Sequence, residues 1–569
     1  MFARTSGGWP ILPLLLVLSL SLLALLLALA PPVSNDWDSL TYHLAMPKLW
    51  LRAGRLIEVP WCDHSYFPAL MEQLYLNGLR VSPVAAKLPH YVTFVLALGT
   101  IALIGRTFFS RTAGLAGAVV FASIPMVLHE ATTAYVDLGL AAYTLLAFYC
   151  LLKWMTAEAS GKDARASGKD ARPTVHYLPL AGVFAGLAMG VKYTGLLVFA
   201  LLCGWIVFGL WRNRKSQIKN QKSKVRPVVL FAVLAVAIAS PWYVKNIVQT
   251  GNPVYPFFYD VFGGRGYTKQ MADQYKHHQR EFGYKRTPAN LLASPWRASM
   301  WPWHLTDSLE FILTNPGNHK RLYETTVAPP TLGLIGPTLL ALLVPLVWLG
   351  VAKTGEQRLV LQVLLGTALA LGMVWFVLEQ YNRYLFPCVA LLSVAAGASA
   401  GELIERHRLT RIVTLAALTW SAVVASGLML RYHGSALKVT FGQVSRRDYL
   451  FRMSLYAVCD FINQEAPRHA RVLLLGEERG FYLDRDYLWG NPGHHTLFPY
   501  ARMKTAADWQ HELRKQRVTH VLINRATVPA SDRGWLDAGV REERWRVRYE
   551  TGADAGYAVY EFTNHADAR

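Results

Sequence analysis

Charged residues are scarce in this chain. Only 17% of its 569 residues are Asp, Glu, Lys or Arg, whereas 53% are hydrophobic. A soluble domain carries about 25% charged residues. Cysteines are also few, and the five at positions 62, 150, 203, 388 and 459 have no CxxC or paired spacing. The sequence therefore indicates neither a zinc site nor a disulfide framework, and its composition predicts an integral membrane protein.

Acidic residues are the scarcer charge. The 37 acids against 58 lysines and arginines give a net charge of +21. This excess does not predict a nucleic-acid partner, because many of the basic residues lie in short loops between apolar runs, at 106–111, 162–172, 212–226 and 406–411. Basic residues in alternate short loops are typical of cytoplasmic loops. We therefore expect a cytoplasmic N-terminus and a C-terminus outside the cytoplasm.

Long apolar runs are abundant and predict about eleven membrane spans. The predicted spans cover residues 11–31, 88–105, 113–129, 135–154, 177–192, 195–211, 227–243, 331–350, 358–378, 384–403 and 410–430. Residues 1–430 then form an all-α polytopic membrane domain. Its long loops, at about 34–87 and 244–330, face outward.

The polar tail, residues 431–569, has a different pattern. A helical periodicity over 449–465 precedes an apolar strand at 471–476, and a helix at 506–516 precedes a strand at 518–524. This alternation predicts a small α/β domain outside the cytoplasm. The turn after the first strand lacks the GxGxxG spacing, so we assign no dinucleotide site.

The first candidate site follows the first apolar run, where an acidic and aromatic cluster runs from residue 35 to 44 (NDWDSLTYHL). Asp38, Tyr42 and His43 fall on roughly one face of a short helix. A carboxylate held there can accept a proton from an attacking hydroxyl. The alternative is structural, with Asp36 capping the helix and Asp38 stabilising its first turn.

Three further charged positions fall at the predicted outer ends of spans. Asp137 lies on the same side as Asp38, and two such acids can bind a divalent cation or a polar acceptor; alternatively Asp137 is a water-exposed interfacial acid. Lys192 and Arg383 run against the charge bias of the loops, so they need another role. They can clamp the phosphate of a lipid-linked substrate, or extend to the lipid headgroups.

In their order along the chain, these motifs resemble the C-type glycosyltransferases of membranes, especially the polyprenyl-phosphate-dependent enzymes near the protein mannosyltransferases and aminoarabinose transferases. The resemblance covers most of residues 1–430. It rests on WDSLTYHL, HSYFPAL, TTAYVD, GLAMGVKYTGLL, SPWYVKNIVQTGNPVYPFF and NRYLFPCVALL.

The resemblance implies an inverting transfer of a sugar from a polyprenyl phosphate to a lipid, glycan or protein acceptor on the outer face of a bacterial cytoplasmic membrane. It makes Asp38 the general base, with Asp36 as the alternative because Ser39 replaces the usual glutamate. The predicted substrate-binding residues are His43, Tyr66, Asp137, Lys192, Tyr193, Arg383 and Tyr384.

The family's lysine-proline pair is replaced here by Tyr66-Phe67-Pro68. No cofactor is predicted with certainty, although a divalent cation is compatible with the acids.

Two other functions share this topology. A flippase for lipid-linked glycans would also span the membrane many times and bind phosphate, but it predicts charged residues near mid-membrane and matching broken helices. A glycan polymerase or ligase would differ only in its acceptor. The sequence alone does not separate it from a monosaccharide transferase.

Overall fold

The computed structural model describes residues 10–33, 36–160, 176–212, 221–281, 283–300, 333–528, 530–551 and 556–562. Residue 35 of the acidic cluster lies outside the described residues. The whole of the predicted cytoplasmic loop at 162–172, about half of the loop at 212–226, and the end of the predicted outer loop from 301 to 330 also lie outside them.

Within the described residues, eight helices are long and apolar enough to cross a membrane. They are Ile11–Ala28, Ala85–Phe108, Asp137–Ala157, Thr194–Arg212, Val225–Thr250, Gly355–Val377, Asn382–Arg406 and Arg408–Thr440. The chain is thus a multi-pass membrane protein. Shorter apolar helices at Arg111–Ala122, Tyr177–Val191 and Pro337–Leu346 overlap the other three predicted spans. The count of eleven spans stays a prediction.

The predicted span over 113–129 is interrupted. One helix ends at Ala122, and a second covers Pro125–Glu130. Ile124 between them has extended backbone angles. Proline lacks a backbone N–H, and its ring clashes with the preceding helical turn, so it begins a helix readily and interrupts one from within.

The helix Asn382–Arg406 is the most buried of the spans. It packs against Arg111–Ala122 through small residues, since a Cβ atom at Gly397 would clash with the backbone of Ala113 and Gly117. Small residues let membrane helices approach closely. Arg383 lies at the start of this helix.

The described parts of the predicted outer loops are largely helical. The first contains a π-helical turn at Ser39–His43, helices at Ala45–Ala53 and Leu70–Leu79, and a 3-10 turn at Asp63–Tyr66. The second contains helices at Tyr259–Phe262, Lys269–Glu281 and Pro288–Met300.

The C-terminal residues form a five-stranded sheet with helices, as predicted. The strands are β1 (Arg471–Leu475), β2 (Asp486–Trp489), β3 (His520–Asn524), β4 (Trp545–Glu550) and β5 (Tyr557–Phe562). Their order is β2-β1-β3-β5-β4. Strands β1, β2 and β3 are parallel, and β5 runs antiparallel to β3 and β4. The helices of this region are Arg446–Leu450, Ser454–Glu465, Ala506–Lys515 and Gly534–Arg541.

The C-terminal domain is attached to the first outer loop. The Lys48 ammonium group donates hydrogen bonds to the carbonyl oxygens of Phe481 and Leu483, at 2.7 and 3.0 Å, and to the Asp484 carboxylate at 2.7 Å. The amide of Phe481 donates to the carbonyl of Leu40 at 3.1 Å. These bonds place the domain directly over the π-helical turn.

Candidate active site

Asp38 precedes the π-helical turn that follows the first span. The Leu44 amide donates to the Ser39 carbonyl at 2.9 Å, the wider spacing of a π-helix, which is frequent at functional sites. The Tyr42 hydroxyl donates to Asp38 Oδ2 at 3.0 Å. The two side chains therefore share one face of the turn.

Asp38 contacts a largely buried arginine, Arg383, which lies near the end of the membrane domain's sequence. Arg383 Nη1 lies 2.6 Å from Asp38 Oδ2, and both side chains are largely shielded from solvent. Burial by itself would raise the pKa of Asp38, but the charges of Arg383 and His43 outweigh it and hold that pKa below its ordinary value. Asp38 is thus ionised at neutral pH.

Asp137 and Lys192 form a second ion pair, with 2.8 Å between Lys192 Nζ and Asp137 Oδ1; Asp137 is buried and Lys192 is partly buried. The Tyr384 ring connects the two pairs. Lys192 Nζ lies 3.7 Å from its centre, and the Arg383 guanidinium carbon 5.3 Å. We call these five residues, Asp38, Asp137, Lys192, Arg383 and Tyr384, the ion-pair cluster.

The cluster keeps unused bonding capacity. Among the described residues, Arg383 Nε is buried without a hydrogen-bond partner, and so are both carboxylate oxygens of Glu130. Glu130 is close enough for the charges of Asp137, Arg383 and Lys192 to act on it. Glu130 was not among the predicted site residues, because a single Glu after His129 has no distinguishing spacing.

Asp36, the alternative base, lies in a different environment. Its Oδ2 accepts a hydrogen bond from the Val33 amide at 3.1 Å, and the charge of Lys87 acts on it. Burial raises the pKa of Asp36 to about 6, although Lys87 opposes this shift. No contact joins Asp36 to the ion-pair cluster in the described part of the chain.

His43 packs beside the cluster. Its Nδ1 lies 2.5 Å from Glu72 Oε1, and its ring centre is 4.2 Å from that of Tyr42. This contact fixes the orientation of Tyr42. Glu72 was not predicted as a site residue, because it comes from a separate helix of the outer loop.

Tyr66 and Tyr193 form a neighbouring layer. The Tyr66 hydroxyl donates to Glu58 Oε1 at 2.6 Å. The Tyr193 hydroxyl lies 2.9 Å from the carbonyl oxygen of Tyr255 and accepts a hydrogen bond from Asn246 at 2.7 Å. Both hydroxyls are engaged within the protein, and the structure does not bring them into the ion-pair cluster.

One group in the described residues has metal-ligand spacing: Asp63, His64 and His494. Asp63 Oδ1 lies 2.8 Å from His64 Nδ1 and 3.2 Å from His494 Nδ1. Two histidines and one carboxylate can hold a divalent transition metal. The hydrogen bonds between these side chains also pair their polar atoms without a metal. Burial alone would raise the pKa of Asp63, but the charges of both histidines outweigh it and lower that pKa. His64 stacks on Tyr42, with 4.7 Å between ring centres, so this group adjoins the cluster.

Comparisons with known proteins agree with this architecture. Residues 80–250 match the model of the dolichyl-phosphate-mannose-protein mannosyltransferase family. No curated protein sequence matches the chain significantly.

Among solved structures, ArnT from Cupriavidus metallidurans bound to undecaprenyl phosphate aligns over 98% of both chains, with 14% identity and a TM-score of 0.54. The oligosaccharyltransferase of Archaeoglobus fulgidus in its apo form aligns over 90% of this chain and 69% of its own, with 11% identity and a TM-score of 0.52. The predicted resemblance is confirmed: the chain has the fold of the C-type membrane glycosyltransferases.

Proposed function

We propose that this chain is an inverting glycosyltransferase that moves a sugar from a polyprenyl phosphate to an acceptor outside the cytoplasm. The observation that carries the proposal is the buried pair of Asp38 and Arg383 beside the pair of Asp137 and Lys192. The shared fold with ArnT, solved with undecaprenyl phosphate, supports it. The setting we propose is a bacterial cytoplasmic membrane, with residues 431–569 as an outer domain.

The two cations of the cluster suit the donor phosphate. Arg383 retains a buried Nε donor without a partner among the described residues. A guanidinium group can bind two phosphate oxygens at once, whereas the Lys192 ammonium acts as a point charge. Both side chains are shielded from water, which strengthens their effect on a buried anion.

Asp38 is suited to act as the general base. When the donor phosphate binds Arg383, it competes with Asp38 and frees a carboxylate oxygen. That oxygen accepts the proton of the acceptor hydroxyl as the hydroxyl oxygen bonds to the anomeric carbon. The bond from this carbon to the phosphate breaks on the opposite face, which inverts the configuration. The polyprenyl phosphate leaves with its charge neutralised by Arg383 and Lys192.

The other predicted residues have supporting roles in this proposal. Asp137 orients Lys192, Tyr384 separates the two cations, and His43 positions Tyr42. Tyr66 and Tyr193 shape the neighbouring wall. The donor assay identifies the sugar, a hexose or a pentose. Repeating it with and without a divalent cation shows whether the cation is required.

The test is donor consumption by purified protein in lipid nanodiscs, with a panel of radiolabelled polyprenyl-phosphate sugars. Asp38→Asn should abolish sugar transfer while donor binding persists. The matched control is Asp260→Asn, which changes an exposed acid on an outer loop paired with Lys269. Loss of transfer in Asp36→Asn instead would assign the base to Asp36.

The same preparation tests the flippase. If wild-type protein consumes no donor, yet moves a lipid-linked glycan across the bilayer of a reconstituted vesicle, the transferase proposal is wrong.

A further inference from the structure

We propose that the C-terminal domain binds an uncharged glycan in a cavity of about 780 Å³. A volume of about 300–1,000 Å³ is usual for small-molecule sites. We further infer that this glycan is the acceptor; this second step alone rests on the proposed function.

The position of the cavity in the sheet is the first argument. It is lined by the residues that follow the carboxyl ends of the three parallel strands: Gly476 to Glu478 after β1, Gly490 and Asn491 after β2, and Thr527 and Val528 after β3. Strand β1 lies between β2 and β3 in the sheet. After β1 the chain continues to β2 on one side of β1, and after β2 it crosses to β3 on the other side. Ligands of open α/β sheets bind at such a switch point, outside the carboxyl ends of the strands.

Aromatic side chains form one part of the lining. Trp509 and Trp535 are stacked with 4.0 Å between ring centres, and Tyr500 and Trp37 also line the cavity. The C–H bonds on one face of a pyranose make an apolar surface that packs on such rings. Asn491 and Glu478 add amide and carboxylate groups that can bond sugar hydroxyls.

The charges of the lining argue against a nucleotide or another polyanion. Dinucleotide sites place glycines and a helix N-terminus after the first strand, whereas this chain has Glu477 and Glu478 there. Glu477 is already bound by Arg479. The other charged residues of the lining are two acids, Glu478 and Asp532, and two bases, Lys504 and Arg533, so neither sign of charge predominates and a neutral ligand is favoured. Arg533 Nη1 is buried without a partner among the described residues and can donate to a hydroxyl.

A shared residue connects the cavity to the ion-pair cluster. Trp37 lines the cavity and directly precedes Asp38. The Arg479 guanidinium carbon lies 4.3 Å from the Trp37 ring centre and holds it against the C-terminal domain. Glu478 also contacts His494, which contacts Asp63 in the first outer loop. A glycan in this cavity therefore lies beside the turn that carries the proposed base.

The binding test uses the full-length protein in nanodiscs and four labelled probes: the neutral maltotriose, mannotriose and N,N′,N″-triacetylchitotriose, and the anionic trigalacturonate. We expect at least one neutral probe to bind and trigalacturonate to bind at least tenfold more weakly. Val528→Trp should fill the cavity and weaken the neutral probe at least tenfold. The matched control, Val547→Trp, places the same side chain on β4 at a 40% exposed position that does not line the cavity.

A second measurement needs no variant. Hydrogen exchange of wild-type protein with the bound probe should show protection at 490–504 and 527–535. Protection elsewhere, binding of trigalacturonate alone, or no binding by any probe would overturn the cavity assignment.

The acceptor role has a separate readout. With the natural acceptor fraction of a bacterial envelope, Val528→Trp should raise KM for the acceptor at least tenfold and leave KM for the donor unchanged. An unchanged acceptor KM in an active, folded variant overturns the acceptor role while the transferase stands. Neutral-glycan binding by a protein that consumes no donor would instead reject the transferase and keep the cavity site.

Discussion

Two buried ion pairs, one in each domain, differ in how many of their polar atoms have hydrogen-bond partners. In the C-terminal domain, Arg479 Nε and Nη2 bind the two oxygens of Glu477 at 2.8 and 2.7 Å, and the Tyr557 hydroxyl donates to the same carboxylate at 2.6 Å. In the membrane domain, Arg383 meets Asp38 through one nitrogen, and its Nε has no partner among the described residues.

Under the proposed function, this difference separates a structural pair from a functional one. Glu477 and Arg479 are neighbours in sequence, so their pair holds a local turn. Asp38 and Arg383 come from opposite ends of the membrane domain and leave a buried donor free for a ligand. Buried charges are costly unless they are paired, so the incomplete pair supports the proposal that a further group binds there.

The largest expected effect comes from Arg383→Gln. It should lower kcat/KM for the donor by about 10³-fold, because a buried cation is removed from the leaving phosphate. Donor consumption by nanodisc-embedded protein measures it, with Arg280→Gln on an exposed outer helix as the control. If the Arg383→Gln variant turned over donor within threefold of the wild-type rate, the pair of Asp38 and Arg383 would be structural and would not differ in role from the pair of Glu477 and Arg479.

Arg479→Gln should instead act on stability. Removing one partner of a buried ion pair costs about 3–5 kcal/mol. Hydrogen exchange of β1 and β5 measures this loss. Burial alone would raise the pKa of Glu477, but the Arg479 charge outweighs it and lowers that pKa. The ion pair therefore stabilises the fold fully above the unfolded pKa of about 4.5. This stabilisation is lost as the pH falls through the lower pKa of the folded state. Equal exchange rates in variant and wild type would contradict this.

Lys192→Gln should have a smaller effect on the donor. We expect KM for the donor to rise about tenfold, the equivalent of about 1.4 kcal/mol, since Lys192 contributes charge without bidentate geometry. Lys276→Gln, on an exposed outer helix, is the matched control. Steady-state kinetics over a donor titration distinguish this rise from a loss of kcat.

The pH profile gives the smallest effect and the sharpest choice between Asp38 and Asp36. The pKa of Asp38 is held below 3.8, so its carboxylate stays ionised between pH 7 and pH 5. With Asp38 as the base, kcat/KM should therefore not fall across this range. With Asp36 as the base, half of the activity would be lost near pH 6, where burial has raised its pKa. Initial rates across this range, in one buffer system at constant ionic strength, decide between them.

Sequence reasoning predicted the parts of the molecule that depend on local spacing. The apolar runs gave the spans because a helix must be long enough to cross the lipid. The contact between Tyr42 and Asp38 followed from their separation of one helical turn. The break before Pro125 was missed because hydrophobicity continues across it, although the proline itself was a signal.

Long-range partners could not be predicted in the same way. Lys192 and Arg383 were selected as unusual cations, yet nothing in their spacing assigns each to its acid. The group of Asp63, His64 and His494 forms only when the C-terminal domain docks on the first outer loop. Strands β2, β4 and β5 were also missed, since β2 is four residues long and β4 carries alternating charges at the sheet edge.

The attachment of Lys48 has a mechanical consequence. An ammonium group has three N–H bonds, and Lys48 uses them on three acceptors of one short loop in the C-terminal domain. Lys48 lies in the helix that continues directly from the π-helical turn. A rotation of the C-terminal domain therefore pulls on the turn that Asp38 precedes, so a fluorophore pair with one dye on this domain and one on the helical bundle would report motion at the site itself.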